Sequence, residues 1–307
     1  MTRAGRAIFS TGSDGCWDKG LVAGMAFETL ISVGQLQSLL AAGRELLLLD
    51  CEFELGEPDK GPAIFAQGHL PGARHAHLDN DLAGPSDGTN GRHPLPARVA
   101  LAAWLRSLGL HNGQQVVVYD SHGGAWAARA WWLLRWMGHA EVAVLDGGKP
   151  AWTAAGLPLD HNTPAPAAKG DFEAGDPLVP DPASADEVLA NIHAAGAQLL
   201  DARDPARFRG DPNPIDPVAG HIPGARNRCF RDNLDAQGRF RPASELAREF
   251  TALLDGKPAL LSCGSGVTAC HNALAMEIAG LPGARLYPGS WSEWISDPAR
   301  PVETGEG

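Results

Sequence analysis

Three things are scarce in this chain. Cysteine is the first: Cys16, Cys51, Cys229, Cys263 and Cys270 are five in 307 residues. So small and odd a number does not make a disulfide framework, and it points to a reducing, cytoplasmic setting. Positive charge is the second. Lys and Arg number 25 against 36 Asp and Glu, for a formal net charge of −11. That balance excludes nucleic acid and anionic membrane surfaces as main partners. A small anionic substrate stays open, because the local field at a site outweighs net charge. Long apolar runs are the third scarcity, and none reaches the length that spans a bilayer. Residues 1–24 carry Arg3, Arg6, Asp14 and Asp18 without an apolar segment, and read as a low-order extension rather than a secretory signal.

What is present is ordinary in amount. A hydrophobic fraction of 44% supplies the cores of one large or two medium domains. The pivotal stretch is CGSGVTAC, Cys263 to Cys270. The apolar run Pro258 to Ser262 leads into it and the helix-like run His271 to Gly280 leaves it. It therefore reads as strand, tight loop, helix. Gly264 and Gly266 let the backbone curl until successive N–H groups face one spot, and the helix start adds partial positive charge there. Such a cradle suits an anionic sulfur.

The chain repeats itself. Helix-like Ser32 to Gly43 and strand-like Glu45 to Asp50 are followed by GHLPGARH, then by helix Ala97 to Leu110 and strand Gln115 to Asp120. The second half runs through helix Ser184 to His193, strand Ala197 to Arg203, GHIPGARN, helix Ala243 to Leu254 and the strand before Cys263. Asp50 and Asp201 lie 151 residues apart, His69 and His221 152, Asp120 and Cys263 143, Trp152 and Trp294 142. Near-constant offsets mark a duplication, with a longer middle insert in the first copy. Strands alternating with helices predict two α/β domains, each with a mostly parallel sheet flanked by helices. The boundaries expected are 25–156 for the first domain, 157–171 for a Pro-rich linker and 172–307 for the second. Loops at the carboxyl ends of such strands are where sites form. There the halves differ: Cys263 ends one strand and Asp120 the other. A carboxylate is no sulfur nucleophile, so the second half is the catalytic candidate.

With these residues in hand, the chain resembles the two-domain rhodanese family of sulfurtransferases. The resemblance rests on GHLPGA and GHIPGA, the Asp120/Cys263 asymmetry, RFRG at Arg207 to Gly210, CGSGVTAC, and GSWSEW at Gly289 to Trp294. It implies a Cys263 persulfide intermediate, held by backbone N–H groups of Gly264, Gly266, Val267 and Thr268. It implies no metal and no organic cofactor. The partners it implies are a small sulfur donor and a cyanide or thiol acceptor; the chain itself is expected to be a monomer. The uncharged loop is similar to that of 3-mercaptopyruvate sulfurtransferases, whereas thiosulfate-preferring relatives often carry Arg and Lys at the places of Gly264 and Ser265. Ser265 with His69 of the other domain would form a Cys–His–Ser relay, unless His69 only caps its turn, as His221 is read to do. Arg207 is the candidate for the donor's anion. The second arginine expected before His221 is missing from Asp211 to Gly220, with Arg92 or Arg74 as possible substitutes. Both donors therefore stay open, with mercaptopyruvate favoured.

Other features read as structural. Phosphatase-type thiolate loops need a closing arginine, and none lies between Cys263 and Ala269. Cys270, two helical turns on, packs inside its helix. His75 and His77 lack the partners of a metal site. Arg203 and Arg209 are structural or surface residues, and Trp126, Trp131, Trp132, Trp136 and Trp152 are core and interface bulk.

Overall fold

Gln115–Tyr119 is buried at every position, as its run of β-branched valines requires of a strand covered on both faces. The computed structural model describes residues 26–306. The expected extension of residues 1–24, with Cys16, lies outside them. In the first half the order is β1 (Leu30–Ile31), α1 (Val33–Ala41), β2 (Leu46–Asp50), α2 (Lys60–Gln67), β3 (Arg74–His75), α3 (Arg98–Ser107), β4 (Gln115–Tyr119), α4 (Ala127–Trp136), β5 (Val142–Leu145) and α5 (Gly148–Ala154). The second half follows with α6 (Ala185–Ala194), β6 (Gln198–Asp201), α7 (Pro205–Arg209), β7 (Arg226–Asn227), a 3-10 turn at Phe230–Asn233, α8 (Ala243–Leu254), β8 (Ala259–Ser262), α9 (Thr268–Ile278), β9 (Arg285–Leu286) and α10 (Ser290–Trp294).

The strands form two all-parallel sheets, ordered β1-β5-β4-β2-β3 and β7-β6-β8-β9. Strands β4 and β8 are equivalent, and Asp120 and Cys263 follow their last residues. Two helices open with the same device. Ser32 and Ser184 each cap their helix start reciprocally with Gln35 and Glu187, satisfying N–H groups that have no intrahelical acceptor.

The helices after the two loops, α4 and α9, pack on each other across the boundary between halves. Ala127 to Leu134 and Ala269 to Met276 are buried all round, because each helix has its own sheet on one side and its counterpart on the other. One apolar core runs through both, from Leu49 and Val118 to Leu261 and Met276. The two loops are thereby held face to face.

The expected linker, 157–171, lies along the first half. Asp160 bridges to His69, and Gly170 N–H donates to Arg106 O at 2.8 Å. The chain stays there past the expected boundary: Phe172, Gly175 and Leu178 donate to Leu110, Met137 and Arg135. Helix α2 lies between the strand ending at Asp50 and GHLPGARH. Its KGPAIFAQ run holds Gly61, where any Cβ would meet the Glu52 carbonyl, so close packing sets that residue rather than helix propensity.

Candidate active site

Cys263 sits where β8 ends, 2% exposed, on the wall of a cavity of about 510 Å³ between the halves. Its backbone is pinned. The N–H donates to Ser290 Oγ at 3.0 Å, and the C=O accepts from Trp291 N–H at 3.0 Å. Ser290 has φ of +52°, a left-handed conformation rare outside glycine, and its hydroxyl donates onward to Tyr287 O at 2.9 Å. The equivalent residue in the first half is Gly148, at φ +56°. Gly266 has φ of +75°, and a Cβ there would run into the Pro288 carbonyl. That explains glycine at this point of CGSGVTAC.

The first half shows what this loop geometry holds. Asp120 Oδ1 accepts from His122 and Gly124 N–H at 2.8 and 2.9 Å, and Oδ2 from Trp126 and Ala127 N–H at 2.8 and 2.9 Å. The loop is an anion cradle filled by its own carboxylate. The matching N–H groups around Cys263 belong to Ser265, Val267, Ala269 and Cys270. Among the described residues, those of Ser265, Val267 and Ala269 make no hydrogen bond within the chain. Of the expected cradle residues, Gly264, Ser265, Val267 and Thr268 line the cavity with Cys263.

Ser265 does meet a histidine, but it is His93. His93 Nδ1 lies 2.8 Å from Ser265 Oγ, and its Nε2 lies 3.0 Å from Asp79 Oδ1. The Asp79 carboxylate accepts a hydrogen bond from Nε2–H, so Nδ1 carries no proton and is the acceptor for the serine hydroxyl. Burial pulls the His93 imidazole below its usual value, and outweighs the opposing pull of Asp79. His93 in turn holds the Asp79 carboxyl below the ordinary carboxylate range. The imidazole is therefore neutral near pH 7, ready to exchange a proton with Ser265.

The expectation for His69 is corrected. His69 is buried away from the cavity, stacked on Phe65 with ring centroids 3.9 Å apart, and donates from Nδ1 to Phe65 O at the end of α2 at 3.0 Å. His221 repeats every feature, stacked on Phe208 at 3.8 Å and donating to Phe208 O at 2.8 Å. Both also pair in a short bridge with a later segment, Asp160 and Glu303 respectively. This histidine serves the fold in both copies.

An arginine of the first half, Arg92, stands beside Arg207. Arg207 grips Asp216 with two bonds, Nε to Oδ2 at 2.8 Å and Nη2 to Oδ1 at 2.9 Å. Arg92 approaches the same carboxylate at 3.6 Å and donates to Ile215 O at 3.4 Å. A Cβ on Gly264 would stand 2.9 Å from an Nη2 of each arginine. Two guanidiniums thus flank the residue after Cys263. Arg203, expected to be structural, is buried between Asp201 and Asp216 and backs this cluster. Arg74 instead donates outward to Ala165 O at 2.7 Å. Asp216 comes from the very loop that lacks arginine. Trp126 packs on the core and also lines the cavity between the halves. Cys270 is buried, pushed up to about 12 by that burial, and donates to Gly266 O at 3.3 Å, as a packed thiol does.

His93 had no sequence signal except its place beside the insert, whereas Arg92 is one of the two substitutes that the sequence offers for the missing arginine. That insert, between Asp79 and Arg92, has no counterpart in the second half. It crosses to the other half, where Arg92 N–H donates to Ser292 Oγ at 3.0 Å.

Comparison with known proteins agrees with this architecture. The family described as rhodanese-like domain matches residues 32–155 and again 184–297. A probable 3-mercaptopyruvate sulfurtransferase of Pseudomonas aeruginosa is 49% identical over 287 residues, covering 92% of this chain and 100% of the relative. Thiosulfate sulfurtransferase of Gallus gallus is 34% identical over 277 residues, covering 87% of this chain and 93% of that one. The crystal structure of SseA from Escherichia coli, described with the fold of 3-mercaptopyruvate sulfotransferases, superposes with a TM-score of 0.74 at 30% identity, covering 85% of this chain and 98% of that one. With a family match in each half and relatives aligned over nearly their whole length, the chain belongs to the rhodanese family as a two-domain sulfurtransferase.

Proposed function

We propose that the chain takes sulfur from 3-mercaptopyruvate onto Cys263 and passes it to cyanide or a thiol. The Cys263 thiolate attacks the donor sulfur, the C–S electron pair leaves with the pyruvate carbon, and the donor's thiol proton ends on that carbon. The products are pyruvate and a Cys263 persulfide anion. The acceptor then attacks the outer sulfur and releases the thiolate. The cradle N–H groups and the start of α9 stabilise the sulfur anion, and Arg92 with Arg207 receives the donor carboxylate.

The observation that carries the donor assignment is the Ser265–His93–Asp79 chain of hydrogen bonds. A leaving pyruvate carbanion must be protonated, and a neutral histidine behind a serine hydroxyl moves that proton. Sulfite, the leaving group from thiosulfate, needs none. Relatives of this chain carry both donors in their names. The test compares kcat/KM for the two donors in wild type and in His93→Ala. Mercaptopyruvate should be preferred by wild type, and the variant should lose that activity while its thiosulfate rate changes little. A wild-type preference for thiosulfate would reassign the donor.

The proposal includes a cytoplasmic, monomeric protein. Its support is that the described cysteines are all free and that one chain supplies both sides of the cavity. No helix among the described residues is long and apolar enough to cross a membrane.

A further inference from the structure

Helix α4 of the first half buries one cation completely. Arg129 is 0% exposed. Its Nε donates to Leu82 O at 3.2 Å, Nη1 to Gly266 O at 3.0 Å, and Nη2 to His93 O and Pro94 O at 3.1 and 3.3 Å. One guanidinium therefore ties the loop of Cys263 to the loop of His93. The buried arginines Arg203 and Arg228 have carboxylate partners in Asp201 and Glu249. Among the described residues no carboxylate counters Arg129, and the acidic groups that act on it are the thiols of Cys270 and Cys263.

A guanidinium taken out of water without an anion is destabilising, and carbonyl dipoles offset only part of that. Cys270 does not supply the anion, since burial keeps its thiol protonated. The remaining partner is the sulfur of Cys263.

The mirror contact sharpens this. His271 on α9 donates from Nε2 to Gly123 O at 3.0 Å. Gly123 stands third after Asp120, as Gly266 stands third after Cys263. Each half thus grips the other's loop at the same carbonyl. The neutral ring grips the loop that already holds a carboxylate. The cation grips the loop whose anion is formed at Cys263.

We propose that Arg129 is a positioning residue and the buried counter-cation of the Cys263 sulfur, contributed by the half that lacks the cysteine. This rests on Cys263 being the nucleophile. Other charged and titratable groups around that sulfur are Arg92, Arg203, Arg207 and Asp216, with His93 and Asp79 behind Ser265, Cys270 on α9, and Glu54, His122, Asp204 and Arg231 on the cavity wall. All of these stay in place in the test.

The experiment measures the rate of Cys263 alkylation by iodoacetamide against pH, with the site read by peptide mass spectrometry. Variants are Arg129→Gln, Arg129→Lys and, as the mirror control, His271→Asn. Arg129→Gln should raise the midpoint by about one pH unit, a tenfold loss of reactive form below it. Arg129→Lys should keep the midpoint within a few tenths while lowering thermal stability, because lysine cannot reach all four carbonyls. His271→Asn should loosen the interface and leave the midpoint alone. A folded Arg129→Gln protein with an unmoved midpoint would overturn the proposal. If Arg129→Gln does not fold, a midpoint raised in Arg129→Lys as much as stability falls would do so, since charge alone would then not set it. Failure of the underlying reading looks different: wild type alkylated at Cys263 would keep its sulfur-transfer activity.

Discussion

Asp120 and Cys263 close equivalent strands, and the carboxylate of Asp120 fills the hydrogen-bonding positions of its own loop, whose counterparts in the second half follow Cys263. The first half is in effect a picture of the second with an anion in place. Cys263→Asp should therefore give a folded protein without sulfur transfer. Its unfolding free energy should rise by about 1–2 kcal/mol, since a carboxylate gains N–H bonds that the thiol makes less well. Urea unfolding checks this, and a less stable variant would mean that the second cradle differs in shape from the first.

The two histidines should separate cleanly. His93→Asn should lower kcat with mercaptopyruvate by roughly 10²-fold, the usual worth of a proton-transfer group. His69→Asn should leave kcat within about twofold and reduce stability by about 1–2 kcal/mol, through loss of its bond to Phe65 O. Because burial lowers the His93 value, the neutral ring persists as pH falls through the ordinary histidine value. The acid limb of kcat/KM should accordingly lie below about pH 6.5. A limb above that value would speak against His93.

Arg92 and Arg207 should act on the donor. Removing either charge-assisted contact, as in Arg92→Ala or Arg207→Ala, should raise KM for mercaptopyruvate by about 10–100-fold, corresponding to about 1.5–3 kcal/mol. Arg74→Ala should leave KM unchanged. Steady-state kinetics with the acceptor saturating would show a reversal of this order if Arg74 were the anion partner.

A fourth expectation concerns acid stability. Burial lowers the fully buried His271 to about 4. The folded value lies below the unfolded one of about 6.5, so its contribution is complete above pH 6.5 and is lost as pH falls toward 4. Over that range the protein should lose about 3 kcal/mol through this ring alone. Thermal unfolding of His271→Asn should show a shallower pH slope than wild type between those limits; an equal slope would exclude His271 as the source.

Much of the architecture was open to reading from the chain. The valines of β4, the leucines of β2 and the glycines beside Cys263 each declare their local structure, and the repeat offsets align the two loops. The histidine of the proposed relay, His93, was not readable in that way. A residue kept in both copies serves what both copies share, which is folding; His69 and His221 hold the ends of α2 and α7. A residue present in one copy serves the task of one copy. His93 and Arg92 stand at the end of the insert, where the repeat gives no register, so the sequence offers Arg92 only as one of two substitutes for an arginine and does not mark His93 at all. Asp216 was hidden for the same reason: its value lies in gathering arginines from two distant segments.

The insert from Asp79 to Arg92 makes the two halves interdependent. It reaches across the boundary, where Arg92 N–H donates to Ser292 Oγ, and just beyond it His93 meets Ser265. On the proposed mechanism, the half with Cys263 holds neither its proton relay nor one of its arginines, and the half that holds them has a carboxylate where the thiol would stand. Separating the halves would therefore require rebuilding a site and not merely cutting a linker.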